Sequence, residues 1–117
     1  MLQFWQSMLE IQSNNNLNIS PLISIVIPTF NRQKALQQSL ESLTKQTILN
    51  FEVVVAIDGS SDGTDKMLEK MAPKLPFRLR YYWQTNKGRS AARNLGIKNA
   101  AAKIILFIDD HLGNNSK

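Results

Sequence analysis

The sequence predicts a doubly wound α/β domain, in which a mainly parallel sheet carries helices on both faces. Four short segments rich in β-branched and other apolar residues alternate with three segments of helical periodicity. The connections are long enough for helical crossovers, which makes the strands parallel with right-handed connections. A polar cluster follows every predicted strand, and ligands of such sheets bind at the carboxyl ends of the strands.

The first strand is predicted at residues 23–27, an apolar run. We expect Pro28 to end it, because proline cannot donate a hydrogen bond into a central ladder. A helix is predicted over 33–45, where leucines recur near the 3.6-residue period. Asn31 is the predicted cap of this helix, since asparagine is a favoured residue at helix amino termini.

The second strand is predicted at residues 51–57, followed by turn and cap residues over 58–64. A helix over 64–71 comes next, and Pro73 and Pro76 stop it. The third strand, 78–84, alternates apolar and polar side chains. Alternation indicates a strand with one face exposed to solvent, so we expect this strand near an edge of the sheet.

The third helix is predicted over residues 90–102, and the fourth strand over 104–108. Gly96 inside the helix costs up to about 1 kcal/mol relative to alanine, which predicts a close packing contact there. The unbroken apolar run of the fourth strand suits burial on both faces of a parallel sheet. We expect this strand to lie beside the first, where the strand order reverses.

The domain organisation is predicted as an amino-terminal extension and linker over 1–20, and one domain over 21–117. Apolar residues of the extension share one helical face, which suits packing onto the domain or, alternatively, onto a partner or a membrane. The start lacks a signal peptide's basic region, and no apolar run approaches the roughly 20 residues of a membrane span. The chain is expected in the cytoplasm, and peripheral contact with the inner face of a membrane stays open.

Composition narrows the function classes. The chain has no cysteine, which excludes a disulfide scaffold and a thiolate metal site. The formal net charge of +5 is compatible with nucleic acid, an anionic membrane or a phosphorylated ligand. No acidic residue occurs between Glu69 and Asp109, whereas lysines and arginines recur throughout that span. A site for a metal ion and a phosphate requires positive charges beside carboxylates, and this positively charged segment lies next to the acidic end of the fourth strand.

The residue types at the strand ends point to a nucleotide ligand. Asp58 follows the second strand and suits a base or ribose hydroxyl. Arg89 or Arg93 suits phosphate, through charge-assisted hydrogen bonds. Asp109 and Asp110 follow the fourth strand, and carboxylates suit hard cations such as Mg²⁺ or Mn²⁺. The alternative for the acidic pair alone is a solvated turn.

Two common nucleotide-binding motifs are excluded. A dinucleotide fold places a glycine-rich turn after the first strand, and residues 28–31 contain no glycine. A Walker lysine loop is also absent from the sequence. The site is therefore expected to rest on separate loops from several strands.

These motifs together resemble the amino-terminal, nucleotide-sugar-binding half of family-2 glycosyltransferases of GT-A fold. The resemblance spans roughly residues 23–112, and four segments carry it in order: 24–32, 51–64, 86–97 and 106–111. It implies a nucleotide-sugar donor, generally a UDP-sugar, a divalent metal that would be Mn²⁺ or Mg²⁺, and transfer of the sugar with inversion to an acceptor hydroxyl.

The resemblance and the strand-end chemistry give one set of candidate residues. Pro28 and Thr29 match the family's nucleotide-lining loop, and Asp58 matches the aspartate that holds uracil or ribose. The full set for the nucleotide is Pro28, Thr29, Asn31, Arg32, Asp58, Gly59, Lys87, Arg89, Arg93 and Asp109. The set for the metal is Asp109, Asp110 and His111.

The sequence departs from the family pattern in three ways. Ile57 stands where the family often has a first aspartate, and His111 stands where a second metal-binding carboxylate is expected. Histidine then ligates the metal, or Asp110 takes over the role, or metal affinity is weaker. The family's catalytic base and acceptor-binding half lie beyond the acidic motif, so no catalytic residue is assigned here.

Three function classes follow. The first is a glycosyltransferase or its donor-binding fragment, whose acceptor, a sugar or a lipid, stays unidentified. The second is a non-catalytic nucleotide-binding or interaction module derived from such an enzyme. The third, a basic module for nucleic acid or anionic membrane, is disfavoured, and no nucleic-acid partner is expected. Because one sheet edge is expected to stay uncovered, we also predict marginal stability or self-association.

Overall fold

The computed structural model describes residues 21–46 and 50–109. The strands and helices alternate along the chain, with a short 3₁₀ turn at Ala72–Lys74 after the second helix. In order, the elements are β1 Ile23–Thr29, α1 Gln33–Leu43, β2 Phe51–Asp58, α2 Thr64–Met71, β3 Arg78–Gln84, α3 Arg89–Lys98 and β4 Ile104–Phe107. None of the helices in these ranges combines the length and the hydropathy needed to cross a membrane.

The strands form one four-stranded parallel sheet in the order β3-β2-β1-β4. Ile23 of β1 pairs with Phe51 of β2 on one side and with Ile104 of β4 on the other. The strand order therefore reverses at β1, as predicted, and β3 lies at an edge, as its alternating sequence predicts. The parallel α/β architecture agrees with the predicted fold class.

The prediction that Pro28 ends the first strand is wrong, because β1 continues through Pro28 to Thr29. The carbonyl of Val26 accepts a hydrogen bond from the Ile108 amide, so even-numbered residues of β1 direct their main-chain groups toward β4. The ladder with β4 pairs β1 only as far as Val26. The nitrogen of Pro28 thus lies beyond that ladder, where a missing N–H costs no strand pairing.

One face of the sheet holds the apolar core. Ile25, Ile27, Val53 and Val55 point to this face because side chains alternate along a strand. Helices α1 and α2 cover it with apolar side chains at helical spacing, and the fully buried ones are Leu36, Leu40 and Leu68. The apolar face predicted for each of the two helices is therefore the face that is buried.

The opposite face is covered by α3, which approaches closely at Gly96. A Cβ atom on Gly96 would lie 2.3 Å from Cγ1 of Val26, so only glycine fits the observed distance. Ala92 of the same helix is fully buried. The close packing contact predicted at Gly96 is confirmed.

A buried polar network also lies on the α3 face. Glu52, 1% exposed, accepts hydrogen bonds from the Ser24 hydroxyl (2.6 Å), from Nη2 of Arg80 (2.7 Å) and from the Ala101 amide (2.7 Å). Burial by itself raises the pKa of Glu52, but these hydrogen bonds and the charge of Arg80 outweigh it and lower the pKa below its usual value. Glu52 thereby fastens the α3–β4 connection to the sheet.

This network explains why the predicted end of the third helix is wrong. The helix ends at Lys98 rather than at residue 102. The Ala101 amide donates to Glu52, and the Ala102 amide donates to the Ser24 hydroxyl (2.9 Å). Amides that bond to the sheet in this way cannot continue the helical ladder.

Strand β4 is more exposed than its apolar sequence predicts. Ile104 is 55% exposed, Leu106 48% and Phe107 45%. The expectation of burial on both faces is therefore wrong for the described part of the chain, in which β4 is the outermost strand beside β1. The prediction for residues 1–20 lies outside the described residues.

Candidate functional site

A cleft of about 640 Å³ opens at the carboxyl ends of β1 and β2. The loop after β1, the end of β2 and the start of α3 form its walls. Six of the predicted residues line it, namely Pro28, Thr29, Asn31, Arg32, Asp58 and Arg89. Four residues that were not predicted complete the lining, namely Phe30, Asn86, Gly88 and Ala92.

Asp58 organises the loop that follows β3. Its Oδ1 accepts hydrogen bonds from the Lys87 amide (2.7 Å) and from Nε2 of Gln84 (2.9 Å), and its Oδ2 accepts from the Gly88 amide (3.0 Å). Burial raises the pKa of Asp58, but these three donors together lower it below the usual value. The carboxylate is therefore ionised at neutral pH. A carboxylate accepts about four hydrogen bonds, so the three protein donors leave room on Oδ2 for a ligand donor.

Gly59 keeps the same loop close to β2. Its φ of 74° lies in the left-handed region, and a Cβ atom there would lie 2.8 Å from the main-chain nitrogen of Asn86. Gly59 itself is not among the cleft-lining residues. Its part in the site is to let Asn86 and Gly88 approach Asp58.

The predicted cap at Asn31 is wrong, because Arg32 occupies the cap position and makes no side-chain cap bond. Asn31 instead joins its loop to the loop after β2. Its amide donates to Oγ of Ser60 (2.9 Å), and its Oδ1 accepts from the Ser61 amide (2.7 Å). The first amide of α1, on Gln33, donates to Oδ2 of Asp62 (3.0 Å). The cap of α1 thus comes from a residue distant in sequence.

Thr29 carries an unused polar group at the cleft. Its side chain is 3% exposed, and Oγ1 has no hydrogen-bond partner among the residues that the structure describes. A buried hydroxyl without a partner is costly, and because this atom is closed to solvent, a ligand in the cleft could bond it only after a local rearrangement.

The predicted phosphate-binding cations differ in position. Arg89 lines the cleft, and its Nη1 lies 3.7 Å from Oδ1 of Asp109. The guanidinium of Arg93 instead lies over the Phe107 ring, 5.6 Å from its centroid. Lys87 contacts Asp58 through its main-chain amide, and neither Arg93 nor Lys87 is among the lining residues. Of these three cations, only Arg89 lines the cleft, and Arg32 of the loop after β1 lines it as well.

The predicted metal ligands are described only in part. Asp109 lies beside Arg89, and Asp110 and His111 lie outside the described residues. Over 21–46 and 50–109, no group of three or more His, Cys, Asp and Glu side chains is placed to hold a metal ion. The carboxylates of Asp109 and Asp110 fit the ligand preferences of Mn²⁺ and Mg²⁺, whereas the imidazole of His111 is more typical of softer metal ions.

Two structural carboxylates, Asp62 beside the cleft and Glu52 at the opposite end of β2, were not predicted. Asp62 was included only in a stretch of turn residues, although its spacing before Thr64 is typical of a helix cap. Glu52 lies inside the second predicted strand, for which no polar partner is predicted. A single glutamate in a strand buried on both faces is a usable signal, because a buried charge requires partners.

The chain matches the model of glycosyl transferase family 2 over residues 24–115. An uncharacterised glycosyltransferase of Rickettsia felis is 41% identical over 87 residues, which are 74% of this chain and 14% of the relative. The chain therefore spans about a seventh of that relative's length.

Solved structures show the same likeness. Residues 1–349 of S. aureus TarS, in complex with UDP, are 36% identical with a TM-score of 0.66, over 76% of this chain and 27% of that one. A mannosyltransferase of Pyrobaculum calidifontis, in complex with GDP-Man and Mn²⁺, is 22% identical with a TM-score of 0.71, over 92% and 35%. The second likeness shows the fold alone.

The predicted fold class and the predicted resemblance are both confirmed by these findings. The parallel four-stranded α/β fold matches that of GT-A glycosyltransferases. The family model covers most of the chain, including all four segments that carry the resemblance. The chain belongs to glycosyl transferase family 2.

Proposed function

We propose that this chain binds the nucleotide of a nucleotide-sugar donor in the cleft, with a divalent metal at the acidic end of β4. The donor is a UDP-sugar, and the reaction is inverting transfer of the sugar to an acceptor hydroxyl. The UDP complex of S. aureus TarS supports the choice of nucleotide, and the neighbouring carboxylates Asp109 and Asp110 support the metal.

The observation that carries this proposal is the joint position of Asp58 and Arg89. Both line one cleft, where Asp58 ends β2 and Arg89 begins α3. Asp58 accepts a hydrogen bond from the base or ribose at its remaining Oδ2 position. Arg89 bonds a phosphate oxygen. These groups span what a nucleoside diphosphate offers.

The residues of the chain act on the donor side of the reaction. The loop from Asn86 to Gly88 is held by Asp58, so it holds the nucleotide without reorganising on binding. Asp109, Asp110 and His111 would hold the divalent metal, which would supply positive charge to the leaving diphosphate when bound. The bond from the anomeric carbon to the diphosphate oxygen breaks as the acceptor oxygen attacks. The acceptor proton passes to a general base that we do not assign to this chain.

Calorimetry with UDP, with and without Mn²⁺, tests the proposal. We expect Arg89→Ala to weaken UDP binding about tenfold or more, because it removes a charge-assisted hydrogen bond. Lys98→Ala is the matched control, since Lys98 is an exposed cation of the same helix outside the cleft lining. We expect its affinity for UDP to stay within about twofold of wild type.

Two outcomes would overturn the proposal. One is the absence of measurable UDP binding by the wild-type chain in the presence of Mn²⁺. The other is an equal loss of affinity in Arg89→Ala and Lys98→Ala, which indicates general attraction between a basic protein and an anion. ADP in place of UDP reports the contribution of the base.

A further inference from the structure

We infer that Asp62 is a positioning residue of the donor cleft, a role that rests on the proposed function. Asp62 is not among the residues that line the cleft. It acts through the main chain of the β1–α1 loop, whose residues Phe30, Asn31 and Arg32 form one wall of the cleft.

One carboxylate accepts a main-chain amide from the amino terminus of each of two helices. Oδ2 of Asp62 accepts from the Gln33 amide of α1 (3.0 Å), and Oδ1 accepts from the Thr64 amide of α2 (3.2 Å). The Asp62 carbonyl also accepts from Nε2 of Gln33 (2.7 Å). The cap positions of the two helices, Arg32 and Gly63, make no side-chain cap bond of their own. Asp62 therefore sets where α1 begins relative to α2.

A second set of hydrogen bonds joins the β1–α1 loop to the loop after β2, at a residue that lines the cleft. Asn31 exchanges hydrogen bonds with Ser60 and Ser61, through its amide and its Oδ1. Its φ of 50° is left-handed, a conformation that requires support from the surrounding structure. With Asp62 holding Gln33 and the serines holding Asn31, Arg32 is fixed on both sides.

The chemistry of this position requires a carboxylate rather than an amide. An ionised carboxylate offers two acceptor oxygens, whereas an asparagine offers one acceptor oxygen and an NH₂ donor. Burial raises the pKa of Asp62, but the hydroxyl of Thr64 and the amides of Gln33 and Thr64 lower it below its usual value. Asp62→Asn therefore removes one of the two helix caps while keeping the size of the side chain.

The test compares UDP affinity by calorimetry in wild type and variants, well below the unfolding temperature. We expect Asp62→Asn to raise the Kd for UDP about tenfold. This is the change expected if only about a tenth of the molecules keep the β1–α1 loop in the conformation that binds UDP. Ser60→Ala, which removes the acceptor of the Asn31 amide, should raise it by a smaller factor, about threefold. A change confined to global stability leaves the Kd unaltered while nearly all molecules stay folded.

Two matched control variants test whether an effect comes from the lost hydrogen bonds rather than from the type of substitution. Asp65→Asn changes an exposed aspartate of α2 that makes no side-chain hydrogen bond over the described ranges, and Ser61→Ala keeps the main-chain amide that Asn31 uses. Both should bind UDP within about twofold of wild type. Amide hydrogen exchange at Asn31 and Gln33, without UDP, should be faster in Asp62→Asn than in Asp65→Asn.

The outcomes distinguish this inference from the proposed function. A wild-type chain that binds no UDP overturns both. If the wild type binds UDP but Asp62→Asn binds as tightly as Asp65→Asn does, the positioning role is overturned and the proposed function stands. Unchanged exchange at Asn31 and Gln33 in Asp62→Asn overturns the role independently of UDP.

Discussion

Glu52 and Asp58 lie at opposite ends of β2, and each holds one end of α3 against the sheet. Asp58 accepts the amides of Lys87 and Gly88 just before the helix, whereas Glu52 accepts the amide of Ala101 just after it. Both carboxylates are buried, and both have pKa values below the usual range. The helix that carries Arg89 to the cleft is therefore fixed from both ends by one strand.

The first prediction concerns the buried pair of Glu52 and Arg80. We expect Glu52→Gln to lower the free energy of unfolding by about 3 kcal/mol, because it leaves the Arg80 charge partly buried without its partner. Urea unfolding measures this change. Glu69→Gln, at an exposed position of α2, is the control and should lie within about 0.5 kcal/mol of wild type. Equal stability of the two variants would contradict the prediction.

The second prediction is a loss of stability in acid. The pKa values of Glu52, Asp58 and Asp62 are lower in the folded chain than their usual values, so the unfolded chain binds more protons in the acidic range. The stabilisation from these carboxylates is fully present above the unfolded pKa values of about 4. It is lost as the pH falls through the lower, folded-state values.

Urea unfolding at a series of pH values between neutral and strongly acidic measures this loss. We expect Glu52→Gln to show a shallower decline than wild type, because one of the three carboxylates no longer titrates. Glu69→Gln again serves as the control. A variant curve parallel to that of wild type would show that Glu52 does not contribute to the acid sensitivity.

The sequence predicted the elements of this fold and their arrangement, because those depend on local periodicity and on crossover length. It failed where a distant residue decides the outcome. The third helix ends at Lys98 because Ala101 and Ala102 bond to Glu52 and Ser24. Neither bond is visible in the local pattern, which stays compatible with a helix to residue 102.

The candidate site, like the fold, could be predicted only in part. Six of the ten residues that line the cleft could be predicted, among them Thr29, Asp58 and Arg89, since these three follow predicted strands. The role of Asn31 could not be predicted, because its partners are a serine hydroxyl and a main-chain amide on another loop. Main-chain donors leave no trace in the residue types, so their use appears only in the fold.

The third prediction concerns Gly96. Its Cβ would lie 2.3 Å from Cγ1 of Val26, a fully buried and β-branched side chain that cannot rotate away. We expect Gly96→Ala to lower the free energy of unfolding by about 2 kcal/mol, although alanine favours a helix. In a Val26→Ala background, the same step should cost nothing. A similar loss in both backgrounds would place the cause elsewhere than in this contact.

The fourth prediction concerns the exposed strand β4. Leu106 is 48% exposed on β4, which is the outermost strand beside β1 among residues 21–46 and 50–109, and apolar edge strands pair readily with further copies. We expect the 117-residue chain to self-associate in light scattering coupled to size-exclusion chromatography, with a mass that rises with concentration. Leu106→Lys should shift it toward the monomer, because a charge on an edge strand opposes pairing.

Ile97→Lys is the control, since Ile97 is also exposed, at 41%, but lies on α3. It should leave the association unchanged, and a wild-type monomer at every concentration would show that β4 does not pair between copies.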